Sequence, residues 1–111
     1  MEKSYCAGMF TIMANDKKAV SNQRLTVTAA SLGLTVPDNA NYALVQVESS
    51  LDAANVVRMW FDGTAPTAST GLSRGNWDVF DINERENLLN FRVILATAAP
   101  ATTYLIIQYF E

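Results

Sequence analysis

At 111 residues the chain is long enough for one domain with a modest core and too short for two. Half of its residues are apolar and only 17% are charged, a balance that excludes a disordered chain. The net charge is −3, and Lys17 and Lys18 are the only adjacent basic residues, so the basic stripe of a nucleic-acid or anionic-membrane surface is missing. So lightly charged a small chain is expected to have part of its outside covered by a partner.

Residues 1–23 mix Ala, Met, Ser, Asn, Asp and Lys, and read as an N-terminal arm or first strand attached to a domain over 24–111. Within the arm, 8–13 (GMFTIM) is a candidate strand, 15–18 (NDKK) a turn, and 16–22 a possible short helix. From residue 24 the alternation becomes regular: 24–28 (RLTVT) predicts a short strand and 29–34 a helical turn or irregular link. Residues 36–41 (VPDNAN) are dense in turn formers, and 42–48 (YALVQVE) predict a strand. After a polar loop over 49–55, residues 56–61 (VVRMWF) predict a strand, followed by a ten-residue loop of small and turn-forming residues, 62–71. Strands are then expected over 77–82 (WDVFDI), 90–96 (NFRVILA) and 102–110 (TTYLIIQYF), separated by a charged turn at 83–87 and a Pro-containing turn at 97–101. Six or seven short strands, with turn signals about every 10–15 residues and no sustained 3.6-residue period, predict an all-β antiparallel sandwich of jelly-roll or other Greek-key type.

Several of these strands are apolar on both faces. In the last one, Tyr104, Ile106 and Phe110 alternate with Leu105, Ile107 and Tyr109. A sandwich strand needs one buried face, so the second face is expected to meet another subunit or a partner.

Chemistry is constrained by what is missing. The chain has no histidine, which rules out Ser-His-Asp and Cys-His nucleophiles and any His-ligated metal. Cys6 is the only cysteine, so neither an intrachain disulfide nor a thiolate cluster can form. A carboxylate pair drawn from Asp62, Asp78, Asp81, Glu84 and Glu86 could serve a glycosidase, and Asp62, Asp78 or Asp81 a calcium ion. Their settings (a Gly turn, an alternating strand and a charged turn) favour turn formers and solvated faces instead. The loop between Gly63 and Gly71 lacks the Gly-Lys-Ser/Thr ending of a phosphate loop. Arg58 with Trp60 and Arg92 with Phe91 are read as outward arginines beside core aromatics rather than base-stacking platforms. No apolar run approaches the ~20 residues of a membrane helix, and residues 1–6 lack a basic head followed by an apolar stretch, so no export signal is expected. No catalytic residue, metal or cofactor is expected.

One stretch carries more information. Leu34-Thr35-Val36-Pro37, Ala43-Leu44-Val45-Gln46-Val47-Glu48, Val57-Arg58-Met59-Trp60-Phe61-Asp62-Gly63-Thr64-Ala65-Pro66-Thr67-Ala68-Ser69-Thr70-Gly71 and Asn90-Phe91-Arg92-Val93-Ile94 follow in that order. The series resembles a group of small virion proteins of tailed bacteriophages, in which a Pro turn and an Ala-Leu-Ile-Gln-Val-Glu-like strand precede Arg-x-x-x-Asp-Gly-Thr-x-Pro-Thr-x-x-Thr-Gly. The resemblance spans about residues 24–110. It implies a β-sandwich, a non-enzymatic role as a capsid decoration or cement protein, and a place in the virion after assembly in the host cytoplasm. The implied partners are the major capsid protein or other virion proteins, and further copies of the chain as a dimer or trimer, without nucleic acid or membrane. Interface candidates are Met9, Phe10 and Ile12 in the arm, and Asp62, Gly63, Thr64, Pro66, Thr67, Thr70 and Gly71 in the loop. Two alternatives stay open: a head–tail, tail or baseplate component, and a carbohydrate-binding sandwich that uses Trp60 or Trp77 as a stacking platform. The loop could also be an ordinary connection that stabilises only its own domain.

Overall fold

The computed structural model describes residues 17–96 and 102–111, so Cys6, the 8–13 strand, Met9, Phe10, Ile12 and the 97–101 turn lie outside the described residues. The described chain forms β1 (Ala19–Thr26), β2 (Tyr42–Ser49), β3 (Val57–Trp60), β4 (Leu72–Arg74), β5 (Val79–Asn83), a helix α1 (Arg85–Asn90), β6 (Arg92–Leu95) and β7 (Thr103–Phe110). All pairings are antiparallel, in a four-stranded sheet of order β1-β7-β2-β5 and a three-stranded sheet of order β4-β3-β6. Leu32 adds a single bridge to Val93 on the free side of β6, with both backbone bonds at 2.9 Å. Counted as a strand, Leu32 completes the eight-strand order of a jelly roll. Gly33 follows it at once and Pro37 soon after, so this strand is one residue long.

The core lies between the sheets and follows the two-residue period of the strands. Ala43, Val45 and Val47 of β2, Leu105, Ile107 and Tyr109 of β7, and Phe80 and Ile82 of β5 point inward and meet Val57, Met59 and Val93 of the smaller sheet. Phe91 is fully buried, with ring centroids 5.5 Å from Phe61 and 6.3 Å from Phe80. Buried Thr103 is satisfied by a 2.8 Å hydroxyl–hydroxyl bond to Ser49.

Four local readings are corrected. The helix considered over 16–22 is replaced, from Ala19 onward, by β1, whose register with β7 runs from Ala19 opposite Phe110 to Thr26 opposite Tyr104. The strand therefore begins before residue 24, and the boundary drawn after residue 23 falls inside it. The expected strand 77–82 starts only at Val79, because Trp77 sits at φ 71°, outside extended backbone. The charged turn at 83–87 opens helix α1. Only Leu88 of that helix is buried, too little for a six-residue segment to show a period, while Arg85 donates to the Pro37 and Ala40 carbonyls at 2.7 and 2.8 Å. Finally, β4 forms where no strand was expected, pairing with β3 although all three of its residues are exposed.

Two buried phenols make the fold sensitive to alkali. The Tyr109 hydroxyl donates to Gln23 Oε1 at 2.6 Å, and the same oxygen accepts from the Thr35 N–H at 3.1 Å. Burial pushes the Tyr109 pKa up from 10.0 to about 12. Burial, followed by the hydrogen bond to Asp81 and the charge on it, also pushes up Tyr42. An acid with a raised folded pKa stays protonated in the fold while the unfolded chain ionises. Its stabilising contribution is complete below pH 10 and is lost as pH rises through about 12. The urea midpoint is therefore expected to fall between pH 10 and 12, and Tyr109→Phe is expected to make that fall shallower. An unchanged slope in Tyr109→Phe would show that Tyr109 is not the group responsible.

Candidate functional site

The loop at 62–71 joins β3 to β4 and is braced from within. The Asp62 carboxylate accepts from the Thr64 N–H at 3.1 Å, and that bond holds its carboxyl below the usual carboxylate range. Gly63, at φ 90°, donates its N–H to the Asn90 carbonyl at 3.0 Å, tying the loop to the end of α1. Thr67 and Thr70 bond each other's backbone at 3.0 and 3.3 Å, with Ala68 and Ser69 at the tip between them.

The base of the loop is fixed by Pro66, Gly71 and Arg58. Pro66 is buried. Gly71 lies at φ 137°, and a Cβ there would come within 3.2 Å of Met59 N, Met59 O and Pro66 Cβ. The Arg58 guanidinium donates from Nη1 to the Gly71 carbonyl at 2.8 Å. Gly71→Ala is accordingly expected to cost about 1–2 kcal/mol, from the left-handed backbone and the tight contacts. Thermal melts against Thr70→Ala, an exposed neighbour, check it; equal melting temperatures would show that the loop tolerates a Cβ there.

The seven loop candidates thus divide by position. Asp62, Gly63, Thr64, Thr67 and Thr70 are exposed, whereas Pro66 and part of Gly71 form the footing on the loop's own domain. A backbone satisfied internally, carrying small exposed side chains, can approach another surface closely with little ordering cost.

On the outer face of the smaller sheet, Arg58 and Trp60 are two residues apart and share one face, so the expectation that they point opposite ways is corrected. They make no open platform of stacked cations: Arg58 holds Gly71, and Arg92, cross-strand from Trp60, donates to Ser31 Oγ and Ser31 O, both at 3.0 Å.

The carboxylates considered for catalysis are not gathered at one place. Asp78 accepts from the Gly75 N–H at 2.7 Å, Asp81 accepts from the Tyr42 hydroxyl at 3.0 Å, and Glu84 and Glu86 are exposed at the start of α1. Among the described residues no group of three or more His, Cys, Asp or Glu side chains could hold a metal ion.

A second surface escaped the sequence reading. The outer face of the four-stranded sheet carries an open groove of about 520 Å³ along β1, β7, β2 and β5. Leu44, Val79 and Ile106 supply its apolar lining, and Asn22, Arg24, Gln46 and Gln108 its polar lining. The pairings Arg24–Ile106, Gln46–Ile106, Gln46–Val79, Asn22–Gln108 and Leu44–Gln108 bring these residues together across four strands. The only sequence signal was the two-faced pattern of β7, because the register that assembles the face joins residues up to 86 positions apart, as in the Asn22–Gln108 pair.

Fold and surfaces together define a jelly-roll β-sandwich with a braced projecting loop on one sheet and an open groove on the other. No protein-family model, curated protein or solved structure matches the chain.

Proposed function

We propose that the protein is a non-enzymatic virion structural protein of a tailed bacteriophage, a decoration protein that stabilises the head by bridging capsid subunits. The observation that carries this reading is the loop at 62–71. Its sequence bears the resemblance to small phage virion proteins, and its exposed Thr64, Thr67 and Thr70 contribute nothing to the protein's own core. Pro66, Gly71 and Arg58 hold the loop in shape before any partner arrives, so little entropy is lost on docking. In this reading the partners are the major capsid protein and further copies of the chain, with Met9, Phe10 and Ile12 adding contacts from the N-terminal segment.

The test is stoichiometric binding of purified protein to capsids stripped of decoration. Thr64→Glu/Thr70→Glu is expected to weaken capsid binding at least about tenfold, because two carboxylates would be desolvated at a close contact. Its melting temperature is expected to stay within about 2 °C of the parent, since both residues are exposed. A strictly monomeric protein that leaves stripped capsids bare would overturn the reading. Localisation to the tail or baseplate in a virion reconstruction would replace the head with a tail assembly.

A further inference from the structure

We infer that the groove on the outer face of the four-stranded sheet is a binding site for a neutral oligosaccharide. At about 520 Å³ it is an open, shallow groove on the sheet, with room for a ligand that lies along the surface with one side in solvent. Its polar lining is mostly neutral. Asn22, Gln46 and Gln108 bear amides, each offering a donor beside an acceptor, the pairing that vicinal sugar hydroxyls present. Among the described residues no carboxylate lines the groove, and its one cation is already engaged: the Arg24 guanidinium stacks 3.7 Å from the Tyr104 ring centroid. Gln108 is oriented by donating Nε2 to the Ser21 carbonyl at 2.7 Å, which leaves its amide oxygen as an acceptor. Ile106 and Val79, 37% and 38% exposed, flank Gln46 on either side and present aliphatic side chains suited to the C–H faces of sugar rings.

A second observation points the same way. Trp77, two residues before Val79 on the chain entering β5, is 59% exposed and sits at φ 71°, a backbone region that costs a bulky residue free energy. The turn that holds it there is rigid. Trp77 N donates to Val47 O at 2.8 Å, Asp78 N to Gly75 O at 3.2 Å, and the Gly75 N–H is held by the Asp78 carboxylate. An exposed indole on a strained, hydrogen-bonded turn, two residues along the chain from the groove-lining Val79, offers a ring on which a sugar can stack. This site belongs to the opposite sheet from the loop at 62–71, and its test needs no capsid, so the two readings fail separately.

The experiment titrates the purified full chain, in a Trp60→Phe background so that emission reports Trp77 alone, with maltoheptaose, cellohexaose, laminarihexaose, mannohexaose, xylohexaose and chitohexaose. The expected result is saturable quenching or a blue shift with at least one of them at millimolar concentration or below, independent of salt. Ile106→Arg and Gln46→Ala are each expected to weaken that binding at least tenfold, and so is Trp77→Asn, whose binding is read by titration calorimetry because it removes the reporting indole. Asn tolerates the left-handed backbone, and all three sites are exposed, so melting temperatures are expected to hold within a few degrees. Two results would overturn the inference: no response to any of the six sugars up to 10 mM, or binding that survives Ile106→Arg. A concentration-dependent dimer that Ile106→Arg dissociates would likewise overturn it, assigning the face to a second copy of the chain.

Discussion

Phe91→Ala is expected to destabilise the protein by about 3–5 kcal/mol, enough to leave little or no folded protein at 37 °C in a domain of this size. Phe91 has no exposed surface and is the ring on which Phe61 and Phe80 converge, at 5.5 and 6.3 Å. It also stands at the junction of α1 and β6, where its backbone passes from helix to strand, and its carbonyl lies 3.4 Å from the position a Gly33 Cβ would take. Removing the ring opens a cavity that the two sheets, each held by its own ladder, cannot close by collapse. Urea unfolding of Phe91→Ala and Phe91→Leu would separate cavity from chemistry: Leu should cost less than about 1.5 kcal/mol. Equal, small losses in both variants would mean that the Phe91 site is loosely packed and that the core is centred elsewhere.

Gly75→Ala is the second large effect, and its cause is steric. A Cβ on Gly75 would lie 2.5 Å from the Ala53 carbonyl oxygen, 2.7 Å from Ala54 Cα and 2.8 Å from Ala54 C, all backbone atoms with no flexible end to give way. The segment at 49–54 and the turn at 75–78 are locked together there: Asn76 N donates to Ala53 O at 3.1 Å, and Asn76 Oδ1 accepts from Ser49 N at 2.8 Å. Separating them enough to admit a methyl group strains or breaks these bonds. The expected cost is about 3 kcal/mol, or a melting temperature lower by about 10 °C. Gly33→Ala is the matched control, because its Cβ would meet only the Phe91 carbonyl, at an ordinary 3.4 Å. Should Gly75→Ala melt with Gly33→Ala, the two segments are not rigidly docked. The fixed presentation of Trp77 would then lose its support as well.

The two proposals use different sheets. The braced loop extends from the β3–β4 connection of the smaller sheet, and the groove lies on the outer face of the larger one. A subunit docked through the loop would therefore keep the groove face distinct from its docking contacts.

Part of the structure is written in local chemistry. Short runs rich in β-branched and aromatic residues and bounded by turn formers, 42–48 and 102–110, placed β2 and β7 to within a residue or two, because such residues fit a pleated, buried surface. The density of turn formers at 36–41 and 62–71 marked both loops, since Pro, Gly, Asn and Asp favour the backbone angles that turns need. The loop's candidate residues were legible because they are close together in the chain.

The remainder is set by contacts between residues far apart in the chain. Helix α1 has one buried side chain, Leu88, and its position is set by Arg85 reaching carbonyls 45 and 48 residues away, so no local period could announce it. Strand β4 exists because β3 offers it a partner, its own three residues all being exposed. The left-handed Trp77 runs against the preference of its own residue type and is held by bonds to Val47 and within its turn. The groove exists only where register brings Asn22, Gln46, Val79 and Ile106 onto one face. Local pattern records which way a side chain faces relative to its neighbours in the chain; which distant side chains share that face is fixed by strand pairing, and strand pairing is set by the core beneath it.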